Sequence, residues 1–315
     1  MFSLALFGPF DPDPVERRRP PRRGDGRVDS RPSVPPPSGH PLTVPTFETP
    51  GRVALDVDVP AGEVSVATWD EPRVDVDVRP ARGDDASAAA AAETRIELVE
   101  RGGRYEVSVS VPKQQGRRFF SRAPELDVKI RCPQDADLEL TTHSADLDGN
   151  GRLGAVGVRS ASGDVRLADV GELLFTTASG DLDAGTVTGT LNVKSASGDV
   201  SVHAVGGAAT VNTVSGDARL GETQGLASVT SVSGDVELDA VVAGARLNSV
   251  SGDLHVAARR GLALWIDAQS VSGSVTSDLD VGDGEGEGEG GARVELRARS
   301  VSGDIRITRA APTAG

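Results

Sequence analysis

The sequence predicts an all-β fold: a single-stranded parallel β-helix or solenoid with about 18 residues per coil, expected to wind right-handed. Three observations predict it. A Ser-Gly-Asp phrase returns with its aspartate at Asp164, Asp181, Asp199, Asp217, Asp235, Asp253 and Asp304, with worn copies at Asp146, where Ala145 replaces Gly, and at Ser274, which replaces Asp. Successive steps are 18, 17, 18, 18, 18 and 18 residues, then 21 and 30. A fixed period of this kind marks stacked repeats, each burying its apolar face on its neighbours.

The second observation is a set of apolar columns. Eight residues before each aspartate position stand Leu138, Val156, Leu173, Leu191, Ala209, Ala227, Ala245, Ile266 and Leu296, and six before stand residues such as Phe175, Val193, Val211, Val229 and Leu247. One after it the column is again apolar, as in Val165, Leu182, Val200, Val236 and Ile305. Alternation at period two is the signature of a strand with one face inward. The third observation is that proline is absent from 134–311, which suits ladder strands that need every backbone N–H.

The inward phase before the aspartate is out of step with the phase after it, so a bend lies between. One phasing places the bend at the Ser/Thr column four before the aspartate (Thr142, Ser160, Thr177, Ser195, Thr213, Ser231, Ser249, Ser270, Ser300). It turns the Ala/Val three before and the Gly inward, and the Ser two before and the Asp outward. The other phasing buries both hydroxyl columns and puts a bulge at Gly.

Along the chain, residues 1–42 read as a disordered Pro/Arg-rich tail. Twelve of nineteen prolines fall between Pro9 and Pro50 among seven arginines from Arg17 to Arg31, a composition that cannot bury enough apolar surface to order itself. The opening ten residues are too short for a membrane span and lack a basic stretch and a cleavage site, so neither a span nor a signal peptide is predicted. Residues 43–133 read as an N-terminal β cap with the first irregular coils. Within them, Ala61-Gly62-Glu63-Val64 looks like a worn copy of the phrase, and 83–92 reads as a loop or one to two helical turns. The stretch 112–124 carries Lys113, Arg117, Arg118 and Arg122 around Phe119 and Phe120, either an exposed loop with an apolar anchor or a binding element. Residues 134–309 are the regular solenoid, interrupted by an acidic Gly-Glu loop at 282–291, and 310–315 form a tail.

Composition bounds the function. A formal charge of −14 excludes nucleic acid as a partner class, since phosphate binding rests on Lys and Arg. The lone Cys132 rules out an internal disulfide and, with no anchor in the sequence, leans toward the cytoplasm. No two of His40, His143, His203 and His255 share a repeat column, so no metal cluster, cofactor or catalytic base is predicted. His143, Ser144 and Asp146 are too close along one strand to form a relay.

The best site candidate is the aspartate file of Asp164, Asp181, Asp199, Asp217, Asp235 and Asp253. Stacked in register, like charges roughly 5 Å apart repel by about 1 kcal/mol per pair. Two answers are open: hydrogen bonds from turn N–H groups or from the Ser two before, or Ca²⁺ held between coils by oxygen ligands. The denser Gly-Gly-x-Gly-x-Asp ligand set of calcium β-rolls is missing.

The Ser-Gly-Asp-Val phrase at 18-residue steps, after the alternating Leu126-Asp127-Val128-Lys129-Ile130, resembles the bacterial putative-adhesin family of β-strand-repeat proteins, a domain without established function. More distantly it is similar to auto-transporter adhesin head domains. The resemblance covers about 44–309 and implies a non-catalytic binding or scaffolding module for an unknown protein or carbohydrate ligand, with a cell-surface role in many relatives. The alternatives are a β-helix carbohydrate-active enzyme and a purely structural spacer.

Overall fold

The computed structural model describes residues 45–112, 123–279 and 293–311. The expectations for the tail, for the basic-aromatic loop and for the Gly-Glu run fall outside these residues. The chain enters through β1 (Thr46–Glu48), β2 (Arg52–Trp69) and β3 (Arg73–Pro80), makes the helix α1 (Asp85–Glu93), and returns through β4 (Arg95–Arg101), β5 (Arg104–Ser110) and β6 (Leu126–Pro133). Asp84 caps α1, its carboxylate accepting the Ser87 N–H at 2.7 Å, and the Ala run 88–92 supplies strong helix formers. Of the 83–92 stretch, residues 85–92 are therefore helical.

From β7 (Asp137–Arg159) and β8 (Val165–Thr177) onward the solenoid is regular. Each aspartate sits at a corner between two legs. The legs before the corners are β10 (Leu191–Ser197), β12 (Ala209–Ser215), β14 (Ala227–Ser233) and β16 (Gly244–Ser251). Those after it are β9 (Leu182–Val187), β11 (Val200–Val205), β13 (Ala218–Thr223), β15 (Val236–Val241) and β17 (Leu254–Ala258). The chain closes with β18 (Leu264–Ser272), β19 (Val275–Ser277), β20 (Val294–Ser302) and β21 (Ile305–Arg309). Pairing in the regular stack is parallel and in register at the repeat, Val211 opposite Val193 and Val229, and Leu238 opposite Leu220.

The core is the set of predicted columns. In the coil of Asp235, Ala227, Val229, Val236, Leu238 and Val241 are buried, each larger side chain contributing about 1.5–3 kcal/mol by leaving water. The bend is displaced from the predicted position. The hydroxyl column four before the aspartate is buried (Thr213, Ser231, Ser249, Ser300), while Val214, Val232, Val250 and Val301, three before, are exposed. The inward phase runs on to the hydroxyl, and the Val-Ser-Gly triplet turns the corner outside; of the two Ser columns only the first is inside. Gly does the turning: Gly234 has φ +132°, and a Cβ there would overlap the Gly216 carbonyl. At the first three corners a hydroxyl holds the turn instead, Thr142 Oγ1, Ser160 Oγ and Thr177 Oγ1 accepting the N–H groups of Ala145, Gly163 and Gly180 at 2.8, 2.7 and 3.0 Å, and none of these three donor residues has a positive φ. Alanine at 145 therefore meets no backbone strain.

Levels do not stack in chain order at either end. At the start, β2 lies between β7 on one side and β5 and β6 on the other, Glu63 aligning with Asp146 as the worn phrase predicted. At the finish, β20 and β21 lie between β16 and β17 below and β18 and β19 above. The second-to-last coil in sequence is thus the outermost in space.

Candidate binding surface

The corner brings all six predicted aspartates into one file, together with Asp146 and Asp304. Each carboxylate accepts the backbone N–H of the next corner. Asp164 N–H donates to Asp146 Oδ1 at 3.0 Å, Asp181 to Asp164 at 3.0 Å, Asp199 to Asp181 at 2.9 Å, and Asp217 to Asp199 at 2.9 Å. Asp235 donates to Asp217, Asp253 to Asp235, Asp304 to Asp253 and Ser274 to Asp304, all at 2.8 Å. The donor is therefore the neighbouring coil's amide rather than the Ser two before. Charge-assisted bonds of this kind are stronger than neutral ones, and one per level offsets the repulsion along the file. The last position only donates, so Ser274 serves there without a carboxylate. At Asp304, the backbone and side-chain donors of Ser274 hold the carboxyl below the usual carboxylate range. Among the described residues no group of three or more His, Cys, Asp or Glu side chains converges as a metal centre.

The legs after the corners carry a groove of about 540 Å³ lined by His203, Glu222, Asp239, His255 and Thr308. Two histidines from different columns meet the same groove because its axis runs across levels, a relation that column counting hides. His255 Nε2 lies 3.2 Å from Thr308 Oγ1 and its Nδ1 3.6 Å from Glu237 Oε1. The second distance is too long for the hydrogen bond that orients a catalytic imidazole, and Glu237 is also engaged by Arg219 at 3.3 Å. Arg259 closes on Glu222 at 3.1 Å. His143 is exposed, and Asp146 accepts from Asp164 rather than from it.

The legs before the corners carry a larger trough, about 700 Å³, over Asp56, Glu106, Asp137, Glu139 and Glu172. Outward alternation on β2, β5 and β7 sets these carboxylates side by side: Asp56 aligns with Ser108 on one flank and Glu139 on the other, and Ala54 with Glu106. Gly157 keeps the floor open, since a Cβ there would overlap the Glu139 carboxylate. Arg104 pairs with Asp137 at 3.0 Å and Arg159 with Glu139. Asp56 and Glu106 form no ion pair among the described residues. Partial burial, then Glu106, Asp58 and Glu139, push the Asp56 carboxyl above its ordinary value. At the far end the same face turns basic, with Arg246 and Arg297 on Glu295 at 3.6 and 2.5 Å and Arg299 on Asp267 at 3.4 Å. Sequence reading missed the trough because outward columns carry no repeating identity, and because nothing in the chain order says that 104–110 lies beside 52–58.

Fold and surface together define a parallel β-solenoid with flat polar faces and shallow grooves. The family described as Toastrack DUF4097 matches residues 68–308, and the chain belongs to that family, in line with the resemblance of its repeats. Similar solved structures include a putative adhesin from Bacteroides fragilis NCTC 9343 (15% identity, 86% of this chain and 98% of that one, TM-score 0.35). Another is a putative adhesin from Parabacteroides merdae ATCC 43184 (11%, 85% and 96%, 0.37). A third is a putative lipid binding protein from Parabacteroides distasonis ATCC 8503 (13%, 84% and 96%, 0.37). No curated protein matches the chain. Among the described residues no helix is long and apolar enough to cross a membrane.

Proposed function

We propose that the chain is a non-catalytic, adhesin-like binding module whose acidic trough takes a lysine- or arginine-bearing segment of a partner protein. The observation that carries this reading is the pair Asp56 and Glu106, two carboxylates sharing one open trough and forming no ion pair among the described residues. Low-dielectric walls lined by one sign of charge concentrate ligands of the other sign. A cation seated there relieves the carboxylate crowding that adds to burial in raising the Asp56 carboxyl. The test is calorimetric titration of a hexalysine peptide into the full chain at low and high salt. Saturable binding is expected, weakened about 10-fold or more in an Asp56→Asn, Glu106→Gln double variant and screened away by salt. Binding that ignores both substitutions would overturn the trough as the site. Binding of a neutral oligosaccharide in its place would turn the reading toward carbohydrate, and no binding of either would leave the spacer.

A further inference from the structure

The two ends of the solenoid are finished differently. At the start, the outermost level of β5 and β6 is covered by antiparallel strands, β4 on β5 and β3 on β6, with β1 on β3. The new edge so made is blunted by charge, since β4 reads Arg-Ile-Glu-Leu-Val-Glu-Arg. Four charges in seven residues are what natural sheets place on an edge that must not pair. At the finish, β18 pairs only with β20 and β19 only with β21 among the described residues. Their outer edge carries a row of backbone N–H and C=O groups and reads Leu-Trp-Ile-Asp-Ala-Gln-Ser-Val-Ser, then Val-Thr-Ser, with one charge in the twelve. Core columns that are sealed in every inner level lie open here. Val275 is 45% exposed where its column mates are at 2% or less; on the outward face, Trp265 is 44% exposed and Val271 83%, against 43–51% for Val214, Val232, Val250 and Val301 in its column.

We infer that this edge is an interface, and that its occupant is the same edge of a second copy. An open edge can meet either end of another molecule. The charged, capped start excludes head-to-tail addition, which leaves an isologous junction that closes at two chains. A two-fold axis normal to the legs runs β18 antiparallel to β18 of the second copy and continues the sheet through the junction. Registers that keep interior columns facing the interior can be centred on Asp267, Ala268 or Gln269. Centring on Asp267 sets that carboxylate against itself, and centring on Gln269 sets it against Val271. Centring on Ala268 sets Asp267 against Gln269 and Trp265 against Val271 of the second copy. Like charges directly opposite destabilise and aromatic–β-branched pairs stabilise, so the Ala268 register is the one assigned. One level of strand pairing buries little area, at or below the roughly 1,200 Å² low end of specific interfaces, so the dimer is expected to dilute apart somewhere in the range of about 1–100 μM.

Sedimentation equilibrium of the full chain measures this directly. The expected result is a reversible shift from 32.4 kDa to twice that mass. A Trp265→Lys, Val271→Lys double variant, altering exposed side chains only, should weaken it at least about 10-fold, while Val99→Lys on the capped end should leave it unchanged. A Trp265→Cys, Val271→Cys variant sharpens the register. Opposed residues stand roughly 4.5–5.5 Å apart, within disulfide reach, whereas the same two positions in one chain lie about 20 Å apart along the strand. Native Cys132 is buried, so oxidised dimer then reports the pair alone. A chain that stays monomeric up to about 1 mM overturns the inference. So does a dimer indifferent to the lysines, or a monomer in which amide exchange finds β18 protected by another segment of its own chain.

Discussion

The start of the solenoid and its finish share one repeat and solve opposite problems. The start spends β1, β3, α1 and β4 on covering its last parallel level, burying Ala90 and Ser87 of the helix beneath them. The finish tucks its terminal coil, β20 and β21, one level inside and leaves the preceding coil at the edge. In both places the coil nearest the terminus in sequence is clamped between two others: β2 by β6 and β7, β20 by β16 and β18. A terminal strand held on both sides frays less than one held on one side, because every N–H and C=O has a ladder partner. What separates the ends is exposure of the outermost level, and the difference can be broken by substitution.

The largest expected effect comes from placing a charge inside the stack. Val229→Asp buries an unpaired carboxylate at a fully buried position and should cost several kcal/mol, unfolding neighbouring levels with it. Ile266→Asp alters the same face of the coil at the open edge, where its column is only half-buried, and should cost far less. Cys132 gives the readout at the far end: burial pushes its thiol up to about 12, so it is modified only when its own level opens. Stability in a solenoid is a sum of local and nearest-neighbour contributions. Ile266→Asp should therefore leave the Cys132 labelling rate unchanged. Equal melting temperatures for the two variants would erase the distinction between interior and edge.

Much of this was legible beforehand, and the reason is physical. In a one-dimensional stack every level meets the same environment, so the 18-residue columns expose strand phase, interior composition and the aspartate file directly. Level order was not legible, since β18 and β20 offer the same columns and either fits above β16. One trace did exist: a corner that has no following amide to hold needs no carboxylate, and Ser274 is where the Asp is missing. The displaced bend was hidden by Val214, Val232 and Val250, apolar residues that the corner turns outward; hydropathy argues for the inside, while a Gly at positive φ dictates the turn. The trough depends on which strands lie side by side, and so inherits the illegibility of the level order.

A smaller pair of effects tests the file. Asp235→Ala removes the acceptor of the Asp253 N–H and should cost about 1–2 kcal/mol, the worth of a bond to a charged acceptor less the like-charge repulsion that its removal relieves. Asp235→Asn keeps an oxygen there and should cost almost nothing. At the edge, Ser274→Asp adds a carboxylate with no amide to receive and should not stabilise the protein. Chelator should leave the melting temperature unchanged; a calcium-dependent rise that Asp235→Asn removes would show the file to be a metal ladder.

Thr223 provides a contrast within the interior. In the regular coils around it the position six after the aspartate is Val170, Val187, Val205 and Val241, and its buried Oγ1 has no hydrogen-bond partner among the described residues. Thr223→Val replaces an unsatisfied hydroxyl with the methyl of its neighbours. It should raise stability by about 1 kcal/mol, measured as the denaturant midpoint at unchanged slope. A loss of stability would mean that the hydroxyl has a partner.

The smallest expected effect sets the two ends apart by the sign of their pH dependence. Asp56, near the start, has its carboxyl raised by burial first and then by neighbouring carboxylates, so the folded state holds its proton more tightly than the unfolded chain. Ionised Asp56 therefore weakens the fold above its raised value, and this weakening disappears as pH falls below the unfolded value of about 4. Asp304, near the finish, has its carboxyl lowered by the Ser274 donors. Its contribution is present above the unfolded value and is lost as pH falls through the lower, folded one. Asp56→Asn should accordingly stabilise at pH 7 and be neutral near pH 3, while Asp304→Asn should destabilise at pH 7 and lose its effect in acid. Melting temperatures of both variants and of the wild type from pH 3 to 7 would read the two slopes. A wild-type-like slope for Asp304→Asn would mean that the Asp304 carboxylate is not held by the Ser274 donors, and one for Asp56→Asn that Asp56 is not crowded in the trough.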